Sequence, residues 1–434
     1  MRLSYPPASS YYAATAAAGP PKARAELMGE YRADVAVVGG GIAGCSAALH
    51  LAQRGYTVAL IEARFVGYGA SGRSGGQLIF GLAPSQKALA VQVGREDAHR
   101  LFDLSIEALD STRALIDAYA IACDYTPNHV HVATKPRHVR ELTEWADELR
   151  GEYGYESAHL LNRDELQSHV RSELYLGGLL DSRSGHLHPL KYTQGLARAA
   201  ELEGVRIFEN TQVLRYDSHS NRGGGGVAVH SSRGVVHCDQ VILCGNAYLD
   251  GVAPPLARRI LGVGTYIVAT EPLDPAQARA LLPSNAAVAD INWILDYFRL
   301  TADHRLLFGG RVSYSAMQPP HLTESMRNRL VRVFPALADV TVDYTWGGYL
   351  DITMSRAPDF GRLAPNVYYL QGFSGHGMAL AGLAGKLVAE AVAGAAERFD
   401  VFARIPKRDF PGGRLLRRPS LVLAMLYYRL RDLL

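Results

Sequence analysis

At 434 residues and 47.1 kDa the chain is longer than one ordinary domain, so two are expected. A hydrophobic share of 48% against 20% charged residues fits a folded, soluble protein. The net charge of +3, without basic clusters, interleaved aromatics or a Cys/His zinc spacing, gives no support to nucleic-acid or zinc binding; neither partner is expected.

The opening stretch is interrupted by Pro6, Pro7, Pro20 and Pro21 and has no continuous apolar core, so residues 1–29 read as an extended arm. Cys45, Cys123, Cys238 and Cys244 are scattered, without a C-x-x-C pair, which favours reduced thiols. No segment approaches the roughly 20 apolar residues that span a bilayer. A cytoplasmic location is expected.

Val35 to Val38 are an apolar run suited to a buried parallel strand. Gly39, Gly41 and Gly44 then satisfy G-x-G-x-x-G, and Ile42 and Ala43 open a helix that runs to Gly55. The first glycine permits the tight turn, the second lets a pyrophosphate approach, and the third lets the helix sit close on the strand. The helix start offers unpaired N–H groups to phosphates. Glu62, beside Ala63 at the end of the next strand, falls about 20 residues on, where a carboxylate meets an adenosine ribose; it also argues against a 2′-phosphate. This is a dinucleotide fingerprint.

The loop that follows, "GYGASGRSGGQL", can wrap a large ligand through backbone N–H groups from Gly69, Ala70, Ser71, Gly72, Arg73, Ser74, Gly75, Gly76 and Gln77. A plain NAD domain would continue here into a helix and a third strand. Residues 95–120 instead form a long amphipathic helix with Leu101, Leu104, Ile106, Leu109, Leu115 and Ile116 on its apolar side. Farther on, Val213 begins a strand that could pass along an adenine. "CDQVILCGNAYL" is another apolar strand, ending at Gly245 and Asn246. The dinucleotide fold is interrupted and resumed. Asn221 to Gly226 read as a hairpin tip.

"ILDYFRL" and "RLLFGGR" read as hairpin strands joined by "TADH". Trp293, Leu295, Tyr297 and Arg299 share one face, and the alternation does not say whether it looks inward. "LQGFSGHGMALAGLAGKLVAE" is a loop entering a helix at about Gly377, with Ala379, Ala381, Gly382, Ala384 and Gly385 allowing close helix packing. "SLVLAMLYYRLRDLL" closes the chain as an amphipathic helix too short to span a membrane. It suits docking on its own protein, on a partner subunit in a homo-oligomer, or on a membrane surface.

In this order, "SYYAATA", "GYGASGRSGGQ", "SGHLHPL", "GNAYL", "LDYFRLTADHRLLFGG", "SRAPDFGRL", "NVYYLQGFSGHG" and "FPGGR…YYRLRDLL" resemble the D-amino-acid-oxidase superfamily of FAD enzymes, in the glycine oxidase and sarcosine oxidase branch. The resemblance implies an α/β fold of two interleaved domains. A Rossmann-like FAD-binding domain of the glutathione-reductase type would take residues 30–85, 157–250 and 356–398. A substrate domain with a mixed or antiparallel sheet would take 86–156 and 251–355, leaving 399–434 as a tail.

It also implies that Gly375, His376 and Gly377 meet the flavin ring, with the helix start at its pyrimidine end, and that Gly372 and Met378 belong to the cofactor site. A helix cap or a packed core histidine is the other reading of His376. Arg73 would sit over the flavin, or else order its own loop. Tyr297 and Arg299 would hold a substrate carboxylate, or else Arg299 is an ion-pair partner within the hairpin. The tethering cysteine of the sarcosine oxidase branch has no counterpart between Gly347 and Pro358, and the glycine loop offers no histidine, so non-covalent FAD is expected.

The expected activity is amine oxidation. Hydride leaves the alpha carbon for flavin N5, the imine is hydrolysed, and O2 is reduced to H2O2. The substrate would be a small amine on a flexible chain, of the gamma-glutamylputrescine type. The alternatives are a secondary amino acid such as L-pipecolate or sarcosine, a dehydrogenase feeding a carrier or quinone, and a flavin-binding protein without turnover.

Overall fold

The computed structural model describes residues 10–16, 24–218, 226–249, 251–292, 295–313 and 319–411. Among these, a six-stranded sheet has the order Asp359–Ala364, Val367–Gln371, Gln240–Leu243, Val35–Val38, Val58–Ile61, Arg206–Phe208. All its pairings are parallel except that of Asp359–Ala364 with Val367–Gln371. Val35 to Val38 and Val58 to Ile61 are buried on both faces, which is why they are continuous apolar runs.

Helix Ile42–Ala52 lies against helix Gly377–Val392 at very short range. A Cβ on Gly385 would stand 2.5 Å from the Ala47 nitrogen, and the Ser46 hydroxyl donates to the Gly382 carbonyl at 2.6 Å. The small residues noted in the sequence make that approach possible. A four-stranded sheet of Gly29–Arg32, Gly234–Cys238, Val227–Ser231 and Val213–Ser218 covers one flank, and Val213 is buried against the six-stranded sheet.

The largest sheet has nine strands, mostly antiparallel, with Thr126–Ala133 and Ala287–Asp290 the parallel pair. Tyr297–Leu300 and Leu306–Ser313 form the expected hairpin, its turn passing through His304 at φ +64°. Phe298 and Leu300 face the core beneath helix Leu322–Val333, so Tyr297 and Arg299 face the other way. Trp293 lies outside the described residues.

Three sequence expectations need correction. Gly177–His186 was assigned with the FAD-binding segments, but both its edges are filled in the nine-stranded sheet, by Thr126–Ala133 on one side and by Ala158–Leu161 and Gln77–Leu78 on the other. Helix Arg95–Ala118 was assigned to the substrate segments, yet it buries Leu101, Leu104, Leu109 and Leu115 in the core that contains the fingerprint helix. Its apolar stripe is satisfied there, and Glu107 pairs with Lys386 at 2.8 Å. Finally, the arm is not wholly extended. Tyr11–Thr15 is a short helix capped by Ser10, and Tyr11 and Tyr12 are buried in a cluster with Ile267, Leu307 and Trp346.

The tail begins with helix Glu397–Ala403, whose Phe399 and Phe402 are fully buried. The expected amphipathic C-terminal helix lies outside the described residues, as does the expected hairpin tip Asn221 to Gly226 except for Gly226. Among the described residues no single helix is long and apolar enough to cross a membrane.

Candidate active site

The carboxyl ends of three neighbouring parallel strands lie side by side: Val35–Val38 runs into Gly39, Gln240–Leu243 towards Gly245, and Val367–Gln371 into Gly372. Open α/β sheets bind ligands at such ends. Gly39 has φ +112°, and a Cβ there would lie 2.7 Å from the Cys244 carbonyl oxygen. Gly44 seats the helix on the turn, a Cβ falling 1.9 Å from the Gly39 oxygen. Gly41 is the N-cap of Ile42–Ala52 and has no side chain to cap it; the Ser71 hydroxyl accepts from the Ile42 amide at 3.0 Å. Ala43 follows in the first turn. Glu62 accepts from the Gly40 amide at 2.7 Å and the Arg64 amide at 2.8 Å, and burial raises its pKa. Ala63 beside it is exposed.

The glycine loop runs from this helix start towards the nine-stranded sheet. Gly69 touches Tyr248, and Ala70–Gly72 forms a tight turn. Arg73 donates to the Tyr68 carbonyl at 2.7 Å and the Gly347 carbonyl at 3.2 Å, with its guanidinium 4.8 Å over the Tyr68 ring. The Trp346 indole N–H donates to the Arg73 carbonyl at 3.0 Å. The Ser74 hydroxyl reaches the Met378 sulfur at 3.2 Å, tying loop to helix. Gly75 faces the Tyr297 ring, which a Cβ would meet at 2.5 Å. The Gly76 carbonyl accepts from the Leu187 amide at 2.9 Å, and Gln77 enters the sheet opposite His186.

Arg299 is buried under this loop. Its Nε donates to the Gly75 carbonyl at 2.8 Å, and Nη1 to the Leu300 carbonyl at 3.1 Å. Nη2 donates to the Leu187 carbonyl and to the Tyr12 hydroxyl, both at 3.1 Å.

Helix Gly377–Val392 begins shortly after the strand end at Gln371, with His376 as its N-cap residue. The preceding loop holds Gly372 at φ +80°, Ser374 at +50° and Gly375 at +96°, and Asn246 nearby has φ +50°. Left-handed backbone at two non-glycine residues is strain maintained by the surroundings. Asp351 maintains it here: fully buried, it accepts from the Gly372 amide and, at 3.1 Å, from the Phe373 amide. Burial pushes its carboxyl up to about 6.

Gln77 also marks a histidine group. His129 Nε2 lies 3.3 Å from the Gln77 Oε1, and the rings of His129 and His131 have centroids 4.5 Å apart. His186 Nε2 lies 2.9 Å from the Asn285 main-chain oxygen. Burial lowers the pKa of His131 and His376 to about 4 and of His186 to about 3, and that of His129 well below its ordinary value.

A family model described as FAD dependent oxidoreductase matches residues 34–391. The chain belongs to the FAD-dependent oxidoreductase family. It is 42% identical over 425 residues, 98% of each chain, to a gamma-glutamylputrescine oxidoreductase of Escherichia coli. It is 40% identical over 404 residues, 92% of each chain, to a probable oxidoreductase, OrdL, of Haemophilus influenzae. Among solved structures, glycine oxidase of Bacillus cereus matches with TM-score 0.70 at 21% identity, covering 87% of this chain and 99% of that one. L-Proline dehydrogenase of P. horikoshii matches with TM-score 0.68 at 19% identity, covering 88% and 100%. These two speak for the fold alone.

The residues at these strand ends of the oxidoreductase fit FAD. Asn246 Oδ1, the Tyr248 hydroxyl and His376 Nδ1 are buried polar atoms without a partner among the described residues, and buried polar atoms are normally paired. Asn246 and Tyr248 follow the strand end at Gly245, and His376 is the N-cap residue of Gly377–Val392. The helix start at Gly41 would take the pyrophosphate, Glu62 the ribose, and the positive end of Gly377–Val392 an electron-rich edge of the ring.

The structure therefore gathers the fingerprint, the glycine loop, Gly245, Asn246 and the 372–378 segment at neighbouring strand ends, and Val213 packs with Val38 and Ile61, two residues after Thr211, whose amide donates to the Glu62 carbonyl at 2.9 Å. Arg73 and Arg299 bind main-chain carbonyls, so both have the loop-ordering geometry that was one of their two readings. Sequence reading missed His129, His131, His186, Asp351 and Tyr12. The signal for the first two was the alternation in "NHVHV", which puts both histidines on one strand face.

Proposed function

We propose that this oxidoreductase oxidises a primary amine on a flexible chain, of the gamma-glutamylputrescine type, with O2 as electron acceptor. The balanced reaction is R–CH2–NH2 + O2 + H2O giving R–CHO, NH3 and H2O2. The observation that carries the reading is the bonding of Arg299. An alpha-amino acid needs a cation close to its reacting carbon, since Arg grips carboxylates in bidentate fashion. Here four N–H groups of Arg299 go to Gly75, Leu187, Leu300 and Tyr12, and Arg73 is held by Tyr68 and Gly347. The two arginines nearest the loop thus favour a substrate without an alpha-carboxylate. The near full-length likeness to a protein named gamma-glutamylputrescine oxidoreductase supports the chain and its terminal amine.

Bound FAD supplies the hydride acceptor. The protein contributes an enclosed, low-dielectric site, a helix start that favours negative charge near the ring, and neutral imidazoles beside it. The test is an oxygen electrode trace with gamma-glutamylputrescine, with peroxide and ammonia assayed in parallel. One peroxide and one ammonia per O2 supports the reading. Reduction of an artificial dye without oxygen uptake would make the protein a dehydrogenase.

A further inference from the structure

Thr126–Ala133 and Gly177–His186 set two buried imidazoles around Gln77: His186 is its direct cross-strand partner, and His129 meets its Oε1. Their tautomers follow from their partners. Gln77 Nε2 donates to the Val288 carbonyl at 3.1 Å, which leaves Oε1 to face His129. An amide oxygen only accepts, so His129 carries its hydrogen on Nε2. The main-chain oxygen of Asn285 assigns the hydrogen of His186 to Nε2 in the same way. Each ring in its neutral form therefore presents a bare lone pair at Nδ1. Both Nδ1 atoms are buried without a partner among the described residues, on side chains 0% and 2% exposed.

We propose that His129 Nδ1 and His186 Nδ1 are a paired acceptor for the two N–H groups of the substrate's reacting amine, held as its uncharged free base. This rests on the amine reading above. The chemistry favours neutral acceptors. A carboxylate at this place would stabilise the ammonium form, whose nitrogen has no lone pair to support loss of hydride from the adjacent carbon. Two neutral imidazoles take the N–H groups of the free base and leave its lone pair unused. The extra proton of a dissolved ammonium leaves to water as the amine enters. Low pKa values keep the rings uncharged, so no like charge opposes the amine. The approaching group is a primary amine; a quaternary ammonium offers no N–H.

The experiment uses the yellow holoenzyme under anaerobic conditions, titrated with n-butylamine and with n-butyltrimethylammonium, and reads the flavin absorption band. At each position two substitutions separate the ring nitrogens. His129→Gln and His186→Gln keep a donor near the Nε2 position but lose the Nδ1 acceptor. His129→Asn and His186→Asn keep an acceptor near Nδ1 but lose the Nε2 donor. At matched flavin content and melting temperature, the Gln variants should weaken n-butylamine at least tenfold and the Asn variants less than threefold. The quaternary probe should give no saturable shift in wild type. Should one position fail to fold, the other carries the test. Weakening by Asn rather than Gln, or equal behaviour of the two, would overturn the proposal and make the histidines structural. A wild-type band shift without bleaching would keep the acceptor pair and sink the oxidase reading; bleaching left unchanged in the Gln variants would do the reverse.

Discussion

The Tyr12 hydroxyl and Arg299 Nη2 lie 3.1 Å apart across 287 residues of sequence, both buried. Through Arg299 Nε the contact continues to the Gly75 carbonyl at 2.8 Å, so the N-terminal helix is coupled to the glycine loop. Tyr12→Phe leaves a buried guanidinium N–H without an acceptor and should lower stability by about 1–3 kcal/mol in denaturant melts. Arg299→Met should cost more and release flavin, and Arg299→Lys should not restore it, because an ammonium lacks the planar fork. An Arg299→Met protein that keeps flavin and stability but loses substrate affinity would instead make Arg299 a carboxylate anchor.

Gly41→Val should yield colourless protein. A Cβ at Gly41 would lie 2.8 Å from the Ser71 Oγ, and the branched side chain would fill the space before the fingerprint helix. Flavin affinity should fall roughly a hundredfold, ~2.8 kcal/mol. Gly151→Ala, where nothing lies within 4 Å, is the control and should stay yellow. Undiminished flavin in Gly41→Val would move the pyrophosphate elsewhere.

Acid should destabilise the fold well before carboxylates at ordinary pKa values titrate. Burial holds His50, His131 and His376 at about 4 and His186 and His188 at about 3, against 6.5 in the unfolded chain. Between those values the unfolded chain binds protons that the folded chain refuses, so stability falls as pH drops below about 6.5. Asp290, raised to about 7, and Asp351, raised to about 6, act in the opposite sense, gaining stability over the same fall in pH. Glu62 and Asp296, which burial also raises, act in that same sense. Each histidine contributes on the order of 2 kcal/mol at pH 5, and with His129, also lowered, the six outnumber the four carboxyls. Melting temperature should therefore drop between pH 7 and pH 5; a flat or rising profile would contradict the buried neutral histidines.

Flavin should be released by acid precipitation. All four cysteines are buried, and desolvation pushes the thiols of Cys45, Cys123 and Cys238 up to about 12, so none is a ready nucleophile. Colour in the supernatant is the expected result. Colour retained in the pellet would require a covalent tether at another residue type.

The dinucleotide half was legible because local rules fix it. Val35 to Val38 are a doubly buried strand, and Gly39 and Gly44 sit where the turn and the helix packing each need glycine. The close approach of Gly385 to Ala47 could be read from small residues alone. What escaped depends on distant pairing. Nothing near Tyr12 announces Arg299, and nothing near Asp351 announces the Gly372 amide it holds. Arg299 invited a carboxylate because arginines do so in general; only the folded chain places four acceptors around it. The strand Gly177–His186 was misassigned because pairing partners cannot be read from a single strand.

The most direct measurement is anaerobic flavin reduction in single turnover with gamma-glutamylputrescine, L-pipecolate, sarcosine, glycine and free putrescine at equal concentrations. The bonding of Arg299 to Gly75, Leu187, Leu300 and Tyr12 predicts fast bleaching by gamma-glutamylputrescine and at least a hundredfold slower bleaching, ~2.8 kcal/mol of barrier, by the three amino acids. Fast bleaching by L-pipecolate, sarcosine or glycine, with gamma-glutamylputrescine inert, would contradict the account.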